Sequence, residues 1–207
     1  MSLDIFSKTT IDDGDVIPPS PPMWEYFTIN GVDSDNDGVR DDVELWINEN
    51  YDDANIRRAL KSLAVTYRDM LKNYDKAPDY LKANGLMIAR SECLKFVMGH
   101  ISSAQAQHAW GLLEDKILNN FWRSMIFKKG AENISSGIYK VADVTFHQFI
   151  VGCNFKVHNP EKIIKGFLIR NPKHKWTQKE QLQFKDMYEN PDRYDAMDLF
   201  SSKLQSH

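Results

Sequence analysis

The sequence lacks the motifs that identify most common classes of enzyme. It has no Gly-x-Ser-x-Gly, no phosphate-binding P-loop and no Gly-x-Gly-x-x-Gly. Its histidines and cysteines show no spacing typical of zinc sites. It also has no run of eighteen apolar residues, so we expect no membrane-spanning segment. No catalytic residue can therefore be assigned from a motif.

Charge of neither sign dominates the composition. Lysine and arginine number 26, aspartate and glutamate number 29, and the net charge is −3. A hydrophobic content of 42% over 207 residues is ordinary for a globular protein with a buried core. We therefore predict no general attraction for nucleic acid or for an anionic membrane. The basic stretch between Lys156 and Lys179 is interpreted as a solvated face.

Cysteine is scarce, with only Cys93 and Cys153. The pair permits one disulfide, but two buried thiols explain the count equally well. A bond between them would favour an exported location, because disulfides persist in oxidising compartments.

The beginning of the chain has no apolar core typical of a signal peptide. Four prolines in the PPSPP stretch, residues 18–22, favour extended backbone and exclude helix. We predict an extended proline-rich tail over residues 1–22 and a single, mostly helical domain over 23–207. We also expect that a native leader is not present in this chain.

The most distinctive stretch is DSDNDGVRDDVE, residues 33–44, with six acidic side chains and one basic one. Its spacing is that of a twelve-residue EF-hand loop, in which positions 1, 3, 5, 9 and 12 carry acidic ligands and position 6 is glycine, here Gly38. Position 7 supplies a backbone carbonyl. The predicted calcium ligands are Asp33, Asp35, Asp37, Val39, Asp41 and Glu44.

The loop and the helix that we expect after it resemble the calcium loops of thrombospondin type 3 repeats and dockerin modules. The resemblance covers only residues 30–47. It implies a structural calcium ion in a calcium-rich extracytoplasmic compartment. One departure from EF-hands is that Arg40 occupies position 8, where paired EF loops usually carry an apolar residue. This departure argues against a paired calcium sensor.

Apolar periodicity predicts a mainly α, bundle-like domain. We expect helices from about Asp41 to Tyr51 and over 55–74, 79–100 and 102–127, the last with a wide buried face. Asn55 is the expected N-cap of the second. A capping box of Thr177 and Glu180 predicts a helix, and another is expected from about residue 192. Residues 138–157 fit a helix or a few short strands.

The segment that enters the loop is too short for the incoming helix of a full EF-hand. We expect its large apolar residues to pin the loop to the domain. These are Trp24, Tyr26, Phe27 and Ile29.

The leading hypothesis is an extracytoplasmic calcium-binding protein without catalytic activity, which acts as a binding or envelope-associated module and has a possible protein partner. Its expected location is periplasmic, envelope-anchored or secreted. One alternative is a hydrolase-like enzyme with a pocket between helices, using residues such as His108, Glu114 or His147. A second alternative is a cytosolic calcium-responsive protein. A pocket with convergent polar groups would favour the enzyme.

Overall fold

The computed structural model describes residues 17–99, 104–133 and 152–170, together with 177–179, 182 and 186. Every regular element in these ranges is helical, which confirms the mainly α prediction. After a 3-10 turn come six helices, numbered here α1 to α6. The 3-10 turn is Met23–Phe27. Helices α1 to α6 are, in order, Asp41–Asn50, Ala54–Lys72, Ala77–Val97, Ala104–Ile117, Phe121–Asn133 and Pro160–Arg170.

Helix α2 is the centre of the domain, because it packs along α3 and also contacts α1, α4 and α5. Its apolar residues recur at helical spacing and are buried, among them Leu60, Leu63 and Tyr67. Val43 and Ile47 of α1 join the same core. The acidic loop directly precedes α1, so this packing sets the position of the loop against α2.

The N-cap of α2 is Asp53, and the prediction of Asn55 was wrong. The Asp53 carboxylate accepts the backbone N–H groups of Asn55 and Ile56 at 2.8 and 3.2 Å. Asn55 instead exchanges two hydrogen bonds with the backbone of His158. Its amide therefore joins the start of α2 to the segment that precedes α6.

The predicted single helix over 102–127 is in fact two helices, α4 and α5. Residues 118–120 separate them, and the side-chain oxygen of Asn120 accepts the N–H of Arg123 at 2.8 Å. This local cap starts a new helix, which is a role that asparagine favours. Helix α5 then continues past Gly130 to Asn133. A Cβ at residue 130 would lie 2.2 Å from the Tyr80 ring, so the close approach of this ring requires glycine there. That glycine allows close packing and does not end the helix.

The wide buried face expected for residues 102–127 is only partly present. Leu113, Ile117 and Ile126 are buried, whereas Phe121 and Trp122 face solvent. The break between α4 and α5 explains the difference, since it turns the two helices so that one continuous stripe no longer faces the core.

Cys93 and Cys153 form a disulfide, so the alternative of two thiols is excluded. The bond fixes the segment before α6 against α3, where Arg90 also donates to the Gly152 carbonyl at 2.5 Å. It joins cysteines that are 60 residues apart in sequence, and closing a loop of that length contributes about 4 kcal/mol in the chain-entropy model.

Helix α6 was not anticipated from the basic stretch in which it lies. The predicted elements at 138–151, and those beyond residue 170 apart from isolated positions, fall outside the described residues. Among the residues that are described, no helix is both long and apolar enough to cross a bilayer.

Candidate metal centre

Asp33, Asp35 and Asp37 bring their carboxylates together at one side of the loop. One oxygen from each lies within 4.8 Å of the others. Backbone N–H groups of the loop hold these carboxylates in place: Gly38 donates to Asp33 at 3.0 Å and Val39 to Asp37 at 2.7 Å. Gly38 has a φ of 94°, so its conformation is one that glycine adopts without strain.

Asp41 and Glu44 lie in the first turn of α1 and are almost completely buried. One oxygen of Asp41 accepts the N–H and the hydroxyl of Ser34 at 2.8 and 3.2 Å. One oxygen of Glu44 accepts from Lys61 Nζ at 2.5 Å. These two carboxylates flank the three-aspartate group and are already engaged by protein donors on one oxygen each.

Three buried carboxylate oxygens of the loop have no hydrogen-bond donor in the described part of the chain. They are Asp33 Oδ1, Asp41 Oδ2 and Glu44 Oε2, at loop positions 1, 9 and 12. A buried polar atom without a partner costs about 1–3 kcal/mol, and more when it is charged. A cation bound among these oxygens would remove that cost. The donor set therefore fits a hard metal ion.

The electrostatics of the loop also favour a cation. Burial raises the pKa of Glu44 to about 7; the hydrogen bond from Lys61 acts in the opposite direction, and the charges of Asp37 and Asp35 raise it further. Burial likewise raises the pKa of Asp37 and that of Asp41. Protons, Lys61 and a metal ion all compete for the same negative charge.

Helix α2 places two cations against the loop, and neither was predicted from the sequence. Lys61 pairs with Glu44, and the Arg68 guanidinium covers Gly38 so closely that a Cβ there would lie 2.1 Å from its Nη1. The two residues are seven apart, which puts them on one side of α2. Their spacing is visible in the sequence, but nothing there shows that this side of α2 faces the loop.

Arg40, at loop position 8, anchors the loop to the helices. Its guanidinium donates two hydrogen bonds to Asp42, at 2.8 and 3.0 Å. It also donates to the carbonyls of Ile117 and Lys116 at 3.0 and 3.3 Å, which caps the end of α4. The charged residue at position 8 thus performs an anchoring role that was not predicted from the sequence.

Polar contacts, and not aromatic side chains, hold the entry segment, so that prediction was wrong. Arg123 is fully buried and donates to the carbonyls of Glu25 and Ile29 at 3.2 and 3.1 Å. Trp24 and Phe27 are 57% and 77% exposed. The backbone of this segment is held in place while its largest side chains point to solvent.

Glu25 is the buried acid of the entry segment. Its Oε1 lies 3.6 Å from Arg40 Nε, and neither of its oxygens receives a hydrogen bond within the described structure. Burial, followed by the charge of Asp42, raises its pKa to about 7. Burial also lowers the pKa of Arg123 to about 10.

A cleft of about 160 Å³ lies between the entry segment, the loop, α2 and the end of α4. Its polar lining includes Asn30, Asp33, Arg40 and Arg68. Its volume is below the 300–1,000 Å³ or so typical of small-molecule sites. It therefore offers room for an ion or a few water molecules beside Asp33.

The residues considered for an enzyme do not converge on this cleft. Glu114 accepts a hydrogen bond from the Tyr67 hydroxyl, which itself accepts from Trp110 Nε1 at 2.8 Å. His108 is exposed, and His147 lies outside the described residues. The contacts of Glu114 are those of a structural acceptor between α2 and α4.

Comparison with family models, with curated proteins and with solved structures found no match to this chain. The geometry of the loop is therefore the basis for proposing a function.

The raised pKa values predict a specific pH dependence in metal-free buffer. Between about pH 4.5 and 7 the folded protein binds more protons at Glu25 and Glu44 than the unfolded chain does, so their contribution to stability falls as pH rises. Each group contributes up to about 3 kcal/mol of this loss. Urea unfolding in EDTA, at several pH values, measures this loss. The free energy of unfolding should fall less between about pH 4.5 and 7 for Glu25→Gln and for Glu44→Gln than for the parent.

Glu49→Gln, an exposed position on α1, is the matched control and should keep the parental slope. Identical slopes for the parent and for both buried-site variants would contradict the assignment of these two acids.

Proposed function

We propose that the protein binds one calcium ion at residues 33–44 and that the ion has a structural role. The observation that carries the proposal is the convergence of three aspartates within 4.8 Å beside buried, unpaired oxygens at Asp33, Asp41 and Glu44. In the ion-bound protein, the loop carboxylates and the Val39 carbonyl would hold the calcium. The ion would then join the first turn of α1, which supplies Asp41 and Glu44, to the aspartates at the beginning of the loop.

The donor set favours calcium over magnesium. Calcium takes six to eight oxygen ligands in flexible geometry, whereas magnesium demands a small octahedral shell and retains its water. Five carboxylates and one carbonyl supply the larger shell when Glu44 uses both oxygens. Extracellular calcium modules bind with dissociation constants of about 0.1–1 mM, so we expect an affinity in that range.

Two features support a structural ion outside the cytoplasm. The Arg40 carbonyl accepts the N–H groups of Val43 and Glu44 at 2.9 Å, so it is not available for the backbone pairing that joins two EF loops in a sensor. The Cys93–Cys153 bond suits an oxidising compartment. On the second ground we propose an extracytoplasmic location.

Calcium should raise the stability of the parent protein. At calcium concentrations ten to one hundred times the dissociation constant, binding to the folded state adds about 1.4–2.7 kcal/mol. Thermal unfolding, followed while calcium is titrated to 10 mM or so, should show a rising midpoint. Asp35→Ala and Glu44→Gln should abolish the rise, Glu49→Gln should keep it, and magnesium should produce a smaller one. A parent midpoint that does not move would contradict calcium binding.

Lys61 should behave as an internal competitor of the ion. Its ammonium pairs with Glu44, which must offer both oxygens to calcium. Replacing it in Lys61→Met removes a competing positive charge but leaves Glu44 buried without its partner. Calorimetric titration should therefore give tighter calcium binding, by about tenfold, together with lower stability in EDTA.

Lys82→Met, an exposed position on α3, is the control and should change neither quantity. Weaker calcium binding in Lys61→Met would show that Lys61 assists the site.

A further inference from the structure

An exposed aromatic surface covers the entry segment and the start of α5. Seven large apolar residues contribute to it, and their exposed fractions run from 42% to 81%. We call this group the aromatic surface. It comprises Met23, Trp24, Tyr26, Phe27, Phe121, Trp122 and Met125.

The two halves of the aromatic surface are fastened to each other through backbone carbonyls. Asn120 Nδ2 donates to the carbonyls of Tyr26 and Thr28 at 2.8 and 3.1 Å, and Arg123 donates to those of Glu25 and Ile29. The entry segment is thus fixed against the first turn of α5. The exposed side chains of both stretches therefore form one patch.

The patch is larger than a soluble monomer usually leaves exposed. With about 150–250 Å² for each large side chain, the exposed fractions amount to roughly 600–1,100 Å². The largest apolar patch on a typical monomer is about 300–600 Å² and often has a function. Exposed apolar areas of this size are typical of interaction surfaces.

The charges beside the patch indicate what it binds. Lys128 and Lys129 are exposed and lie seven residues after Phe121 and Trp122, so the rings and the lysines share one side of α5. Lys129 Nζ lies 5.3 Å from the centre of the Tyr74 ring. Glu132 comes later, at the end of α5 away from Phe121 and Trp122. The charged residues within the patch, Glu25 and Arg123, are both buried.

This combination fits a bilayer better than a protein partner. Lysine is depleted at protein–protein interfaces, even where tryptophan, tyrosine and methionine are enriched. Tryptophan and phenylalanine beside lysine are typical of elements that lie at the membrane–water interface. Each lysine near an anionic bilayer strengthens binding by about fivefold.

We propose that the aromatic surface docks onto the face of an anionic phospholipid bilayer, with its rings among the headgroups and Lys128 and Lys129 against lipid phosphates. The net charge of −3 does not prevent this, because charges farther away than about 10 Å are largely screened at 0.1 M salt. Docking goes beyond the proposed calcium binding, since the surface contains no proposed calcium ligand.

The test is vesicle co-sedimentation in EDTA, which makes the result independent of the calcium site. The parent should bind phosphatidylcholine vesicles that contain phosphatidylglycerol, and salt should weaken the binding. Trp24→Ala/Phe27→Ala and Phe121→Ala/Trp122→Ala should each bind about tenfold more weakly or worse, because each removes two rings that would be buried. Ile169→Ala, at a residue 71% exposed on α6, should bind as the parent does.

Lysine variants test how much the positive charges contribute to vesicle binding, separately from the rings. Lys128→Gln/Lys129→Gln should weaken binding to the anionic vesicles, whereas Lys162→Gln/Lys165→Gln, at exposed lysines of α6, should not. A measurement without any variant guards against misfolding: brominated lipid should quench the tryptophan fluorescence of the parent.

Failure of the parent to bind anionic vesicles would overturn the proposal, as would equal weakening by Ile169→Ala. A parent that binds no vesicles but forms a dimer by analytical ultracentrifugation, lost in Phe121→Ala/Trp122→Ala, would assign the surface to a second copy of the chain and also overturn it.

Discussion

The Arg40 guanidinium is the contact on which the position of the acidic loop depends. It joins Asp42 in the first turn of α1 to the last carbonyls of α4, and it lies 3.6 Å from Glu25. Breaking a buried pair of this kind typically costs about 3–5 kcal/mol, because the remaining charge stays buried and unpaired. Through this side chain the entry segment, the loop and the helices share one polar cluster. The loop is therefore held in place by contacts with the rest of the domain.

Groups of the protein itself also offset part of the negative charge of the loop. Lys61 neutralises one oxygen of Glu44, backbone N–H groups hold Asp33 and Asp37, and the raised pKa of Glu44 allows a proton to be bound near neutral pH. These contacts leave three buried oxygens without donors. These are the oxygens that the proposed calcium ion would bind.

Much of the helical framework could be predicted, because periodicity is a local signal. The stripe through Leu60, Leu63 and Tyr67 was enough to place α2. The break between α4 and α5 was not predicted, because the apolar pattern continues across Asn120. The hydrogen bond by which the Asn120 side chain caps α5 is seen only in the structure. The exposure of Trp24 and Phe27 could not be foreseen, since burial depends on partners distant in sequence. For the same reason the acidic residues of the loop could be recognised from their spacing, whereas the positions of Lys61 and Arg68 beside the loop and the role of Arg40 could not.

The most direct test of the proposed calcium site is a crystal structure of the protein grown with calcium, with anomalous scattering used to locate the ion. We expect one ion among Asp33, Asp35, Asp37 and Glu44, with oxygen ligands at about 2.3–2.6 Å. Lys61 should have released Glu44, while Arg40 should keep its contacts with Asp42 and α4. An ion bound elsewhere, or no ion in the loop with Lys61 still paired to Glu44, would contradict the proposed site.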